Sequence, residues 1–331
     1  MKILLDVMGG DKAPEAAVKG AVMAVNEYGY DLTLVGRSQD IEKNLSGLSY
    51  PTDRLKIVHT PEVIEMCEPA ALSVRKKRNS SIVKGLDLLK SGEYDAFVSA
   101  GNTGAVVCAG TLSLRLLPGV DRPGIAVVFP TLSKPCMVID VGANIDPKPL
   151  HILQYGIMGD AYSKHVLGKK SPTVALLNIG EESTKGTDFI KESHTMLTES
   201  KLNFIGNVEP KEVYRGKADV VLCDGFAGNV FLKVTEAFAD AATELLKREF
   251  KKSSILTKLG ALLAFPAFNS IKRQVDATEY GGAPLLGVDG RVIIAHGSSN
   301  DKAIKNAIRV SGEYVNHEVN KHIIEELESH W

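Results

Sequence analysis

Short apolar runs rich in β-branched residues recur along this chain, with hydrophobic side chains at consecutive rather than alternating positions. They lie at residues 3–7, 32–35, 55–58, 96–98, 125–129, 137–141, 174–177, 219–222 and 292–295. A strand apolar on both faces must be covered on both, which is the pattern of a mostly parallel sheet buried between helices. Helix-length amphipathic segments separate many of the runs, among them 14–28, 80–90, 105–117 and 150–167. The alternation predicts an α/β fold in three layers, a mainly parallel sheet with helices on both sides. Runs 125–129 and 137–141 are joined only through Pro130 to Pro135, which reads as a hairpin, so the sheet is expected to be mixed. No linker, repeat or low-complexity tract divides the 331 residues, and one unit of this length can bury a large core. The exception is 231–273, which has no strand signal and reads as a helical excursion. There Val234, Phe238, Ala241, Ala242 and Leu245 make an apolar stripe, with Glu236, Asp240, Glu244, Lys247 and Arg248 off it.

In such sheets ligands bind beyond the carboxyl ends of strands, so the loops there are the first place to look. Residues 96–107 are the most telling: an apolar run stops at Gly101, Asn102, Thr103 and Gly104, then a helix-like segment begins. A turn of small, donor-rich residues at a helix start can hold an anion, and it can equally be an ordinary capped turn. Similar loops follow other runs: Asp6, Met8, Gly9, Gly10 and Asp11; Asn178 to Gly186; Asp224 to Asn229; and His296, Gly297, Ser298, Ser299 and Asn300. Five of them at one edge of a sheet predict a site for something anionic and rich in oxygen.

Composition narrows the field. With 39 Lys+Arg against 40 Asp+Glu the net charge is −1, which excludes a broad nucleic-acid footprint. The widely spaced Cys67, Cys108, Cys136 and Cys223 do not form a zinc or disulfide framework, so a reducing cytoplasm is expected. The sequence opens without the pattern of a signal peptide, and no apolar stretch is long enough to span a bilayer. The standard catalytic motifs also fail. No G-x-G-x-x-G follows the first run, and Lys185-Gly186-Thr187 has the wrong order for a Walker loop. His317 and His322, five apart, diverge around a helix rather than bind zinc, and no serine sits in a G-x-S-x-G elbow. Cys108 and Cys223 lie in apolar segments and read as core. A chain without an evident covalent nucleophile suits chemistry in which a substrate supplies the attacking group.

Lys185 is the foremost single catalytic candidate, since a cation in a glycine-bearing strand-end loop can stabilise charge on an oxygen; a solvated lysine paired with Glu181 or Glu182 is the alternative. Arg75, Lys76, Lys77 and Arg78 form the one dense basic run, either a solvated face or a dock for an acidic partner. Near the end of the excursion Leu259, Leu262, Leu263, Phe265 and Phe268 lie among Lys247, Arg248, Lys251, Lys252, Lys258, Lys272 and Arg273. That is the make-up of an interfacial membrane contact, with burial in a dimer as its rival.

Taken together, the Met8-Gly9-Gly10-Asp11 start, the 99–104, 178–186 and 224–229 loops and the segment Gly281-Gly282-Ala283-Pro284-Leu285-Leu286-Gly287 resemble the bacterial phosphate acyltransferases of phospholipid synthesis, essentially from end to end. The resemblance implies a fold of the isopropylmalate dehydrogenase and phosphate acetyltransferase type, with residues 1–331 a single catalytic domain. It implies transfer of a fatty acyl group from acyl carrier protein to inorganic phosphate, giving acyl phosphate for a membrane-bound glycerol-phosphate acyltransferase, with no metal or redox cofactor and no covalent enzyme intermediate. It further implies a cytoplasmic homodimer peripheral to the inner face of the membrane. On that reading Gly101, Asn102, Thr103, Gly104, Ser298 and Ser299 hold phosphate, Lys185 and Asn229 polarise the carbonyl or steady the anion, and Gly281 and Gly282 let backbone approach the substrate. The basic run from Arg75 to Arg78 meets the acidic carrier, and Leu259, Leu262, Leu263 and Phe265 touch lipid. A coenzyme A-dependent acetyl- or butyryltransferase is the rival enzyme, with a nicotinamide-dependent dehydrogenase weaker. A non-catalytic membrane-surface scaffold is the rival from another class, and the polar strand-end loops weigh against it.

Overall fold

A computed structural model describes residues 1–254, 256–257, 260, 262–264, 266–267 and 281–330. Eleven strands among them form one sheet: β1 (Lys2–Asp6), β2 (Asp31–Gly36), β3 (Leu55–His59), β4 (Ala96–Ser99), β5 (Gly124–Phe129), β6 (Cys136–Ile139), β7 (Val174–Leu177), β8 (Phe204–Val208), β9 (Val220–Leu222), β10 (Ala283–Leu286) and β11 (Val292–Ile294). Their spatial order is β3-β2-β1-β4-β11-β10-β5-β6-β9-β7-β8.

The continuous apolar runs are explained by two cores, one on each side of the sheet. Ile3 and Leu5 of β1 point into one core and Leu4 into the other; Met137 and Ile139 of β6 are likewise separated from Cys136 and Val138. The first core is closed by helices α1 (Glu15–Tyr28), α6 (Pro149–His165), α10 (Asp301–Asn316) and α11 (Val319–His330). The second lies under α4 (Ser81–Lys90), α5 (Thr103–Leu114) and the start of α9 (Gly225–Lys252). The three-layer expectation therefore holds, and the 125–141 hairpin is present as antiparallel β5 and β6.

Two strands escape the sequence pattern. β8 contains Gly206 in the left-handed region, at φ 93°, and β10 opens with Ala283 and Pro284 directly after Gly281 and Gly282, residues that read as a loop. Yet β10 occupies the middle of the sheet, antiparallel to β11 on one side and to β5 on the other.

That strand decides where the loops go. β1, β4 and β11 run parallel to one another; two reversals, at β10 and β5, and a third between β5 and β6 turn the remaining strands around. β9 and β7 follow the direction of β6. The loops after β1, β4 and β11 thus leave at one edge, and those after β6, β9 and β7 at the other. The five loops expected at a single edge are divided three and two.

Candidate functional site

At the first edge, the loops after β1, β4 and β11 are interlocked. Asp6 and Ser99 end paired neighbouring strands, and Ser99 Oγ donates to Asp6 Oδ2 at 2.7 Å while accepting from the Gly101 N–H at 3.0 Å. Asp6 Oδ1 accepts from the Met8 N–H at 3.0 Å, and burial raises its pKa despite these bonds. Gly9 lies against the 101 backbone: a Cβ there would come within 2.4 Å of the Gly101 nitrogen and 2.8 Å of Asp6 Oδ2. The Asp11 N–H donates to Gly297 O at 2.8 Å, which ties the β1 loop to the β11 loop.

Asn102 caps α5. Its Oδ1 accepts from the Ala105 N–H at 3.0 Å, and its Nδ2 donates to the carbonyls of Glu65, Met66 and Glu68 at 3.0–3.2 Å. The side chain is buried and both ends of its amide are occupied, so it clamps the 65–68 loop across the helix start rather than facing an anion. Thr103 and Gly104 are exposed on the first turn of α5, where free helix N–H groups and the positive end of the dipole meet solvent.

After β11, Ser298 is exposed and Ser299 buried. Ser298 Oγ is 2.7 Å from His296 Nδ1, and its backbone N–H donates to the same nitrogen at 3.2 Å. On the other side of the ring, Lys233 Nζ contacts Nε2 and Glu236 Oε2 lies 3.8 Å from it, with Lys233 and Glu236 paired at 2.9 Å. Both come from α9, which leaves β9 at the second edge and crosses the sheet face, the Phe231 ring packing tilted with its centroid 5.3 Å from that of Phe129 at the far end of β5. Lys233 and Glu236 escape sequence inspection because nothing local links a helix to a loop 60 residues later; the i,i+3 charge pair is the only signal.

At the second edge, buried Asp140 accepts four backbone N–H groups, from Ile125, Gly142 and Ala143 on Oδ1 and from Asn144 on Oδ2. It fixes the loop on which α9 begins, the Gly225 N–H donating to Asn144 O at 2.8 Å. Asn229 is exposed beside this loop, its amide 3.8 Å from where a Gly142 Cβ would stand. Lys185 is exposed, and among the described residues its ammonium pairs with neither Glu181 nor Glu182; Glu181 is taken by Lys217 at 2.9 Å. Asn178 holds the Lys185 carbonyl at 3.2 Å, and a pocket of about 560 Å³ lined by Ser183, Thr184, Lys191 and His194 adjoins the loop. The sheet does not bring Lys185 and Asn229 to the edge that carries Thr103 and Ser298.

Gly281 and Gly282 face the protein itself. A Cβ on Gly281 would sit 2.6 Å from Val310 Cγ2 and 2.7 Å from Asn306 O, and one on Gly282 would sit 2.4 Å from Ile293 Cγ2. Their missing side chains let α10 and β11 close on β10. In the basic run Arg75, Lys76 and Arg78 are exposed, but Lys77 is turned inward, donating to Val63 O at 2.6 Å and pairing with Glu68. Leu262 and Leu263 are exposed, while Leu259 and Phe265 lie outside the described residues. Cys136 and Cys223 are buried, burial pushing the Cys136 thiol up to about 12 and that of Cys223 well up, as core cysteines require.

Comparison with known proteins gives a consistent answer. Residues 1–322 match the family described as "Fatty acid synthesis protein". The phosphate acyltransferase of Halothermothrix orenii is 50% identical over 322 residues, 96% of this chain and 96% of the relative. That of Geotalea daltonii is 45% identical over 331 residues, 100% of this chain and 95% of the relative. Among solved structures, a phosphotransacetylase from Streptococcus pyogenes superposes with a TM-score of 0.64 at 17% identity, covering 96% of this chain and 94% of that one, a likeness of fold.

Proposed function

Because the chain belongs to the phosphate acyltransferase family, we propose that it transfers a fatty acyl group from acyl carrier protein to inorganic phosphate, releasing acyl phosphate for phospholipid synthesis. The observation that carries this reading is the locked first edge. The exposed start of α5, at Thr103 and Gly104, and the hydroxyl of Ser298 are held there on loops tied through Gly9, Gly101, Asp11 and Gly297. Held polar groups of this kind, helix N–H donors beside a hydroxyl oxygen that accepts from a phosphate O–H, orient phosphate as nucleophile against a thioester carbon, and orientation with charge stabilisation is what the step needs. Gly101 contributes the close packing beneath the anion, and Ser299 lines the same turn.

Lys185 and Asn229 polarise the thioester carbonyl in this proposal. The sheet sends their loops to the opposite edge, so that role requires the bound carrier or a second copy of the chain to join the two edges. Arg75, Lys76 and Arg78, exposed at the end of α3 (Ala70–Lys76) and just beyond it, supply the positive surface for an acidic carrier. Val234, Phe238 and Leu245 are exposed along α9, which supports a homodimer formed on that stripe. Exposed Leu262 and Leu263 support a peripheral contact with the inner face of the membrane, next to the glycerol-phosphate acyltransferase that consumes the product. No helix among the described residues is long and apolar enough to cross a membrane, and a cytoplasmic location is part of the same proposal.

The decisive experiment incubates purified protein with acyl carrier thioester, with and without phosphate, and measures acyl phosphate and free carrier thiol. The expected result is equal amounts of both, only when phosphate is present. Thiol release without phosphate would identify a thioesterase instead, and turnover restricted to coenzyme A thioesters would assign the rival donor.

A further inference from the structure

We propose that Ser298 and His296 form a proton relay for phosphate-dependent acyl transfer, held in place by Lys233 and Glu236 of α9; this rests on the function proposed above. The overall reaction moves one proton. Monohydrogen phosphate forms a bond from oxygen to the acyl carbon, the carbon–sulfur bond breaks, and the proton that phosphate carried ends on the carrier thiol. A group that takes the proton from phosphate and returns it to sulfur balances the step without any other reactant.

The geometry supplies such a group. A backbone N–H can only donate, so the 3.2 Å bond from the Ser298 amide to His296 Nδ1 places a lone pair on that nitrogen. The Ser298 hydroxyl, 2.7 Å away, directs its hydrogen to the same lone pair. The serine oxygen is then left with its own lone pairs facing outward, where they accept from a phosphate O–H. As the phosphate proton moves to Ser298 Oγ, the serine proton moves to Nδ1, and the ring gains a positive charge. The reverse passage delivers a proton to the departing thiolate.

The charged groups around the ring suit it to this task. A lone pair on Nδ1 puts the ring hydrogen on Nε2, so in the relay the Lys233 ammonium, which can only donate, is directed to Glu236 at 2.9 Å rather than to Nε2, while Glu236 Oε2, 3.8 Å from Nε2, faces the ring hydrogen. Asp11 also lies near this loop, its Oδ1 4.0 Å from the position of a Gly297 Cβ. Since Lys233 and Glu236 belong to α9, the helix that carries the exposed apolar stripe also sets the surroundings of the relay.

The test compares wild type with His296→Asn and Ser298→Ala, with acyl carrier thioester and phosphate as substrates, across pH 5.5 to 8.5. Asparagine still accepts from the Ser298 N–H but takes no proton; alanine keeps the ring but removes the linking hydroxyl. A relay predicts that kcat falls in both variants by about 10²–10⁴-fold, the usual contribution of a positioned acid–base group. It also predicts that the acid limb of the kcat profile loses one proton from its slope, leaving only the limb of phosphate itself. Wild-type kcat and an unaltered limb in either folded variant would overturn the relay, as would a loss confined to the KM for phosphate. Should His296→Asn fail to fold, Ser298→Ala decides alone. If wild type itself makes no acyl phosphate, the proposed function has failed instead, so the two failures are distinct.

Discussion

Replacing Asn102 by alanine separates a clamp from a ligand. Its Oδ1 caps α5 through the Ala105 N–H, and loss of such a cap costs about 1 kcal/mol. Its Nδ2, with two hydrogens, serves three carbonyls at 3.0–3.2 Å, so about two net hydrogen bonds are lost there, at roughly 0.5–1.5 kcal/mol each. The side chain is buried at 8% exposure, and little water reaches its amide to compensate. The sum is about 2–4 kcal/mol. A 331-residue chain unfolds with an entropy near 0.7 kcal/mol per kelvin at about 2.1 cal/mol/K per residue, so the midpoint of thermal unfolding is expected to fall by about 3–6 °C. Differential scanning calorimetry measures the shift, and initial rates over a range of phosphate give KM. An unchanged midpoint with a raised phosphate KM would refute the clamp and restore Asn102 as a direct ligand.

Gly9→Ala drives a methyl group into the 101 backbone at 2.4 Å, which the two loops can relieve only by parting; stability is expected to fall by about 1–3 kcal/mol and kcat by about 10²-fold. Gly92→Ala, at φ 79° with nothing within 4 Å, is the control, costing only backbone strain and leaving kcat intact. Lys185→Ala should lower acyl-phosphate production with no change in the unfolding midpoint, because the side chain is exposed and unpaired among the described residues; full activity in the folded variant would remove it from the chemistry. Replacing Leu262 and Leu263 by glutamate should release the protein from anionic vesicles in a flotation assay while soluble activity persists. Lys77 beside Glu68 holds that carboxyl below the usual carboxylate range, so the pair stabilises the fold above the unfolded-state value and its contribution fades as pH falls through the lowered folded-state value. Urea midpoints of wild type and Glu68→Gln are expected to converge at acid pH and to separate toward neutrality.

Much of the architecture was legible from residue order alone because its causes are local. An Asn, Asp or Thr side chain can cap only the helix that follows it, and Asn102, Thr187, Asp224 and Asn300 do so for α5, α7 (Asp188–Glu199), α9 and α10. The doubly apolar strands follow from steric alternation along one strand, which needs no knowledge of its neighbours. β8 and β10 were hidden because glycine and proline speak for turns, while what holds them extended is pairing with strands elsewhere in the chain. Sequence order does not show what the other end of a cap meets: the Asn102 amide nitrogen bonds the carbonyls of Glu65, Met66 and Glu68, more than 30 residues earlier.

Sequence by itself determined the units, strand followed by polar turn followed by helix, and the residue types available for chemistry. Tertiary structure alone decided which units share an edge. Alternation of side chains reads the same in either direction along a strand, so the reversals at β10, β5 and β6 leave no mark on the pattern, yet they place Lys185 and Asn229 apart from Thr103 and Ser298. The meeting of Lys233 and Glu236 with His296 is of the same kind, because it depends on a helix crossing the sheet face to a loop far along the chain.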